Sequence, residues 1–171
     1  MNSVRAWSFD FYLAGEVLLR ALIAYALTLP IGRERAQDDT SAGLRTFPLV
    51  AVAACSYVLL AQSVLGINGN GHQQVLQGLV TGIGFIGGGA ILKSADRVRG
   101  TATAASIWAT SIIGAAVGYG HLEIAVVLAI LTFLTLRIVT RIERAAEERA
   151  ARATAGAAHA REAPSRRDCA D

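Results

Sequence analysis

Cysteine and histidine are scarce in this chain, whose 171 residues include 2 cysteines and 3 histidines. Cys55 lies in an apolar run and Cys169 lies in the C-terminal tail, so neither a disulfide framework nor a cysteine-based metal site is predicted. The sequence also lacks a phosphate-binding loop, a nucleophile elbow and a metal-binding residue pair. We therefore expect a protein that is not an enzyme and that has no metal or other cofactor.

Acidic residues are absent from three long blocks of the sequence, residues 47–66, 74–92 and 101–120. Hydrophobic residues make up 53% of the whole chain. A soluble domain of this size needs less apolar surface than this, so the surplus is expected to face a lipid bilayer. About half of the 16 basic residues lie after Leu136, at the end of an apolar run. Because no aromatic stacking surface accompanies them, binding of nucleic acid is not predicted.

Five apolar runs have the length that a transmembrane helix requires, which is about 20 residues for roughly 30 Å of hydrocarbon. The runs are residues 12–31, 47–66, 74–92, 101–120 and 122–140. As helices of a soluble protein they would leave almost no polar surface for water. The prediction is an all-α integral membrane bundle of about five transmembrane helices. Residues 12–140 form this bundle, residues 1–11 a short extracytoplasmic segment, and residues 141–171 a cytoplasmic tail rich in Ala, Arg and Glu.

Among the connections between the runs, only alternate ones contain lysine or arginine. Positively charged loops are retained on the cytoplasmic side of a membrane. The basic loop residues are Arg33, Arg35 and Arg45, then Lys93, Arg97 and Arg99, then Arg137, Arg141, Arg144 and Arg149. The other connections, 67–73 and 119–121, contain neither Lys nor Arg. With five spans, the N-terminus is therefore predicted outside and the C-terminus inside; the tail is expected to begin as a helix and then to become disordered.

Glycine is dense in the third run, where six glycines fall from residue 78 to residue 89, and the fourth run has Gly114 and Gly118 four residues apart. Glycines four residues apart share a helix face and let another backbone approach closely in a membrane. The predicted packing positions are Gly78, Gly82, Gly84, Gly88, Gly114 and Gly118. Tight helix packing is one interpretation of the third run. A helix broken at residues 87–89 around a polar site is the other.

Glu16 and Arg20 place opposite charges inside the first run. Because they are four residues apart, they share a helix face and can pair. An arginine near the centre of a membrane costs about 2.5 kcal/mol or more, which makes Arg20 a candidate functional residue. A structural ion pair that holds the first helix against the bundle and a transport or proton site both fit the pattern.

The predicted cytoplasmic loops contain charges of both signs. Salt bridges between the loops would lock a cytoplasmic cap. Alternatively, Arg99 together with the start of the fourth helix at Thr101 would bind an anionic ligand. Asp38 and Asp39 could supply oxygen ligands to a hard divalent cation, although two adjacent carboxylates in a loop are a weak signal.

Four sequence blocks, taken together, resemble the MgtC/SapB family of bacterial inner-membrane proteins. In chain order they are Gly32–Arg35 (GRER), Ala42–Thr46 (AGLRT), Gly82–Leu92 (GIGFIGGGAIL) and Val98–Trp108 (VRGTATAASIW). The resemblance covers about residues 15–140. Phe47 stands where the family often has histidine, and TATAA replaces the more usual LTTAA after Gly100. The tail is expected to be too short for the folded cytoplasmic domain of larger members.

The resemblance implies a multi-pass protein of the bacterial inner membrane that is linked to magnesium-limited growth and, in some pathogens, to virulence inside host cells. It implies regulation through contacts with a membrane-protein partner, such as ATP synthase or a cation transporter, or with a second copy in a homo-oligomer. The alternative is a small magnesium transporter or channel that acts as an oligomer. The positions carried over from the family are Glu16, Arg20, Arg33, Glu34, Arg45, Arg99 and Thr103.

Overall fold

The computed structural model describes residues 10–36, 43–66, 70–94 and 97–139, and the predicted tail 141–171 and most of the predicted segment 1–11 lie outside these ranges. The described elements, in chain order, are α1 (Phe11–Ala36), α2 (Thr46–Leu65), α3 (His72–Gly89), β1 (Leu92–Ser94), β2 (Arg97–Arg99), α4 (Thr101–Tyr119) and α5 (Leu122–Val139). Four of these helices, all except α3, are long and apolar enough to cross a membrane. The predicted all-α membrane bundle is therefore confirmed.

Among helices α1 to α4, the interface between α2 and α4 is the most extensive. The two backbones come close because α4 presents glycine there. A methyl group on Gly114 would lie 2.8 Å from the Cα of Ala51, and one on Gly118 would lie 2.9 Å from the carbonyl oxygen of Cys55. Small residues allow this kind of approach between membrane helices. Both contacts advance in the same direction along the chain, so α2 and α4 run parallel.

The helices α1 and α3 run antiparallel to α4. Arg35, near the end of α1, contacts Thr103 near the start of α4. His72, at the start of α3, contacts Tyr119 at the end of α4. The first four helices therefore alternate in direction, as the predicted succession of membrane crossings requires, and α4 lies between α1, α2 and α3.

The helix α1 continues to Ala36, five residues beyond the predicted end of the first span. Residues 33–35, expected in a cytoplasmic loop, are instead helical. Pro30 lies inside the helix without ending it. The extension is stabilised by packing, because Ile31 and Gly32 are buried and Gly32 lies against Leu44. Arg, Glu and Ala are also strong helix formers.

A two-stranded antiparallel hairpin joins α3 to α4, where the sequence indicates only a charged loop. The strands pair Leu92 with Arg99 and Ser94 with Arg97. Each strand is three residues long, which is too short for an alternating pattern to be read from the sequence. The predicted end of the third span at residue 92 is therefore too late, since α3 ends at Gly89.

Candidate functional site

A buried arginine ties α1 to α4 at the predicted cytoplasmic end. The Nη2 atom of Arg35 donates a hydrogen bond to the hydroxyl oxygen of Thr103 over 2.9 Å. Arg35 is 6% exposed and Thr103 is 2% exposed. Hydrogen bonds from a charged donor contribute more than neutral ones, and leaving such a donor without its acceptor is costly in a buried site. The contact therefore joins α1 to α4 through a buried polar pair.

Sequence reasoning selected Thr103 but missed Arg35 and chose the neighbouring Arg33 and Glu34 instead. Arg33 is exposed and Glu34 is partly exposed. The signal that identifies Arg35 is helical spacing, because Thr28 and Arg35 are seven residues apart and therefore share the buried face of α1. The prediction that residues 33–35 form a loop hides this spacing, because helical periodicity applies only within a helix.

Replacement of Thr103 by valine tests the buried contact. We expect Thr103→Val to lower the free energy of unfolding by about 2 kcal/mol, because the shape is kept while Nη2 of Arg35 loses the buried hydroxyl oxygen of Thr103. Thr103→Ser should keep most of the stability. The matched control is Thr101→Val, an exposed position two residues before Thr103 in the same helix. Unfolding by denaturing detergent measures all three; equal stability of the two valine variants would contradict the role assigned to the contact.

Arg45 and Arg99 lie at the starts of two parallel helices. Arg45 directly precedes α2, and Arg99 ends β2 one residue before Gly100, the N-cap of α4. Both arginines are exposed. The role of Arg99 with an anionic ligand stays a prediction, and the carboxylates at 38 and 39 lie outside the described residues.

A second polar contact joins α1 to α4 at the predicted outer end. Arg20 donates from Nη2 to Oε1 of Glu16 over 2.5 Å, and from Nη1 to the carbonyl oxygen of Gly118 over 2.9 Å. The side chains of Arg20 and Glu16 are 29% and 42% exposed. The two charges thus pair along α1 while the guanidinium also reaches a neighbouring helix.

The position of Gly118 in its helix explains why its carbonyl oxygen accepts a hydrogen bond from Arg20. The last four carbonyl groups of an α-helix have no partner within the helix, and the C-terminal end carries partial negative charge. Gly118 lies in this last turn of α4, so a guanidinium is favourable there. Of the two interpretations of Glu16 and Arg20, this geometry favours the ion pair that holds the first helix against the bundle.

His72 links three helix ends on the same side. Its Nε2 lies 2.8 Å from the carbonyl oxygen of Gly66, and its Nδ1 lies 3.1 Å from the hydroxyl of Tyr119. Because a carbonyl can only accept, Nε2 of His72 carries a hydrogen and donates it to Gly66. The rings of His72 and Tyr119 also meet edge to face, with centroids 5.6 Å apart. No sequence pattern predicts the contact with Tyr119, which lies 47 residues from His72 along the chain.

The buried hydroxyl groups in the middle of α4 are satisfied by their own helix. Ser106 donates to the carbonyl of Ala102, Thr110 to that of Ser106, and Ser111 to that of Trp108. Among the described residues, no group of three or more His, Cys, Asp and Glu side chains is arranged to hold a metal ion. The described polar groups therefore serve mainly to connect helices or to bond within them.

The predicted packing glycines fall into two groups. Gly114 and Gly118 lie in the close interface with α2, and Gly78 lies beside the hydroxyl of Tyr57. By contrast, a methyl group on Gly82, Gly84 or Gly88 would meet no atom within 4 Å. These three glycines of α3 therefore have no role in the packing of the described chain. The helix itself is continuous through Gly89, which excludes the interpretation of a break at residues 87–89.

A model of the MgtC family matches residues 21–145 of this chain. The match includes the cytoplasmic contact at Arg35 and Thr103, the hairpin and all of α2, α3, α4 and α5. No solved structure matches the chain.

Three relatives illustrate the similarity. Protein SrpB of Synechococcus elongatus is 34% identical over 74% of this chain and 76% of its own length. The Escherichia coli K12 protein named "Putative magnesium transporter YhiD" is 31% identical over 74% of this chain. Protein MgtC of Brucella abortus is 37% identical over 76% of this chain. The matched region spans 61% of the E. coli protein and 52% of the Brucella protein.

Proposed function

The chain belongs to the MgtC family, and we propose on that premise that it is a non-enzymatic regulator in magnesium homeostasis. It is a multi-pass membrane protein of a family that includes a relative named for magnesium transport. The finer proposal is that it resides in the bacterial inner membrane and acts by contacts between its helices and those of partner membrane proteins. A partner of the kind implied by the family, ATP synthase or a cation transporter, is part of this proposal.

The observation that supports regulation is the way the described polar groups are used. Arg35 and Arg20 each connect α1 to α4, and the hydroxyls of α4 bond within that helix. Such contacts set the spacing of helices. They do not leave a row of oxygen ligands through the bundle, which is what a hard divalent cation needs.

The alternative, a small magnesium transporter that acts as an oligomer, draws support from the name of the E. coli relative. Its candidate ligands are few. The acidic side chains among the described residues are Asp10, Glu16, Glu34 and Glu123, and each lies within about two turns of a helix end. Ionisable groups on an ion path are expected inside the membrane, so the distribution of these carboxylates favours regulation.

Magnesium flux separates the two functions. We expect liposomes that contain the purified protein to take up magnesium no faster than protein-free liposomes, because the described spans lack a central carboxylate. A magnesium-sensitive dye inside the liposomes measures the uptake. Saturable uptake that is abolished by Glu16→Gln but retained by Glu123→Gln would instead establish transport. The control is matched, since Glu123 is an outer-end carboxylate that contacts only its near neighbour His121 among the described side chains.

The regulatory function has its own test in cells. A bacterium that lacks this gene should grow more slowly at limiting magnesium and should recover when the gene is restored. A tagged copy isolated from such cells should retain a membrane-protein complex. Normal growth of the deletion strain at every magnesium concentration would contradict a role in magnesium homeostasis.

A further inference from the structure

One exposed face of α3 has the spacing of a helix–helix contact. Five residues recur along it at alternating steps of three and four, which is the period of the contact positions in a left-handed coiled coil. We call them the α3 seam: Gln74, Gln77, Thr81, Gly84 and Gly88. All five are exposed. The buried residues of α3, Ile83 and Gly87, are not members of the seam, although Gly87 borders it three residues from Gly84.

The polar members of the α3 seam have unused hydrogen-bonding capacity. Neither Gln74 nor Gln77 makes a side-chain hydrogen bond within the described residues, while Thr81 bonds to the carbonyl of Gln77. Gln77 lies five residues into the helix, which is about 8 Å along its axis. An amide without a partner is costly in hydrocarbon, so another polar group is expected to meet it there.

The glycine members of the α3 seam provide room for a second helix. Gly84 and Gly88 have open space where a side chain would be, unlike Gly114, whose face is filled by α2. Polar and small residues are the two classes enriched where membrane helices associate. Lipid alone requires neither, and apolar side chains such as those of α2 would suit it better.

The chemistry of the α3 seam is complementary to itself. All copies of the chain insert in the same orientation, so the α3 helices of two copies are parallel and lie at the same depth. A two-fold axis along the membrane normal then brings each residue opposite its equivalent. A glutamine amide both donates and accepts hydrogen bonds, so Gln77 can pair with Gln77. The seam carries no charge, and hence two copies do not repel each other.

We propose that the α3 seam is the contact surface of a parallel homodimer. Gln74, Gln77 and Thr81 form the hydrogen-bonded outer half of the contact, and Gly84 and Gly88 form the close-packed inner half. This assignment rests on the proposed function only in taking contact between membrane helices as the way in which the protein acts. Its test measures contact alone, so its failure is distinguishable from a failure of the magnesium experiments.

Disulfide cross-linking in intact membranes tests the homodimer. The full chain carries Cys55→Ala and Cys169→Ser, and single cysteines are then placed at Thr81, Gly84 and Gly88. We expect oxidation to produce cross-linked dimers at these three positions. Two controls are matched: Ile86→Cys lies on the opposite side of α3, and Leu131→Cys is exposed on α5 at the same distance, nine residues, from its helix start as Thr81.

The pattern of cross-linking decides the result. Dimers restricted to the three seam positions support the proposal. Equal cross-linking at the controls indicates random collision, and cross-linking that is strongest at a control indicates a different interface. Absence of cross-linking at all five positions indicates a chain that does not self-associate through α3. Each of the last three outcomes overturns the proposal.

Energy transfer between labelled copies in liposomes gives a second measurement. We expect Gln77→Leu to raise the dimer dissociation constant about threefold or more, the size of a typical hydrogen bond between membrane helices. Gly88→Leu should abolish energy transfer above the level of random proximity. Neither residue packs against the described bundle, so both variants should fold. Leu131→Ile serves as the neutral control, and unchanged energy transfer in both seam variants would contradict the proposal.

Discussion

Replacing Gly114 by alanine is expected to destabilise the bundle by about 3 kcal/mol, at the upper end of the usual cost of overpacking. The added methyl group would lie 2.8 Å from the Cα of Ala51 and closer still to its carbonyl oxygen. Ordinary contact begins at about 3.4 Å. Because the opposing atoms belong to the backbone of α2, no side chain can rotate away, and the two helices must separate along the most extensive interface among helices α1 to α4.

The control for this prediction is Gly82→Ala. Gly82 is also a glycine inside a helix of the described bundle, but a methyl group there would meet no atom within 4 Å. Alanine is the better helix former by about 1 kcal/mol, so this variant should be as stable as the parent or more stable. Unfolding in mixed detergent micelles compares the two. Similar stability of the two variants would show that α2 and α4 are not in the close contact described.

Replacing Gly100 by alanine should also destabilise the protein by about 3 kcal/mol, through two additive causes. Gly100 has a φ of +88°, a left-handed conformation that costs a residue with a side chain about 1–2 kcal/mol. A methyl group there would also lie 3.0 Å from the carbonyl carbon of Ala90 and nearer to its oxygen. The hairpin could then no longer lead directly into α4.

The two causes at Gly100 can be separated with Gly120→Ala. Gly120 has a φ of +84° but has open space around the position of a side chain. This variant should therefore lose only the conformational term, about 1–2 kcal/mol. Thermal stability in detergent, followed by size-exclusion chromatography, ranks the variants. A loss at Gly120 as large as that at Gly100 would mean that the approach of Ala90 contributes nothing.

These predictions distinguish two uses of glycine in one small membrane protein. Gly114 and Gly118 let helices of the same chain come together, whereas Gly84 and Gly88 are proposed to serve contact between chains. The α2–α4 contact sets the spacing of the core, and Arg35 and Arg20 attach α1 to it at opposite ends of α4. A regulator that works by contacts between helices needs a rigid core of this kind to present an exposed helix in one position.

Some of the site followed from local sequence alone. Glu16 and Arg20 pair because residues four apart always meet on one helix, whatever surrounds them. The choice of Gly118 as the second partner of Arg20 depends on a helix about a hundred residues away. Similarly, Thr103 was selected by family resemblance, but its contact with Arg35 depends on the end of α1 being helical.

The sequence by itself determined that the chain forms apolar helices and a membrane bundle, because each helix satisfies its own backbone hydrogen bonds and its length and apolarity are local properties. It also indicated that glycine would mark helix contacts. Only the tertiary structure decided which glycines are used within the chain. That choice depends on how each helix is rotated and how deep it lies relative to its neighbours, and no single helix sequence records either quantity. The structure thus placed Gly114 against α2 and left the α3 seam exposed.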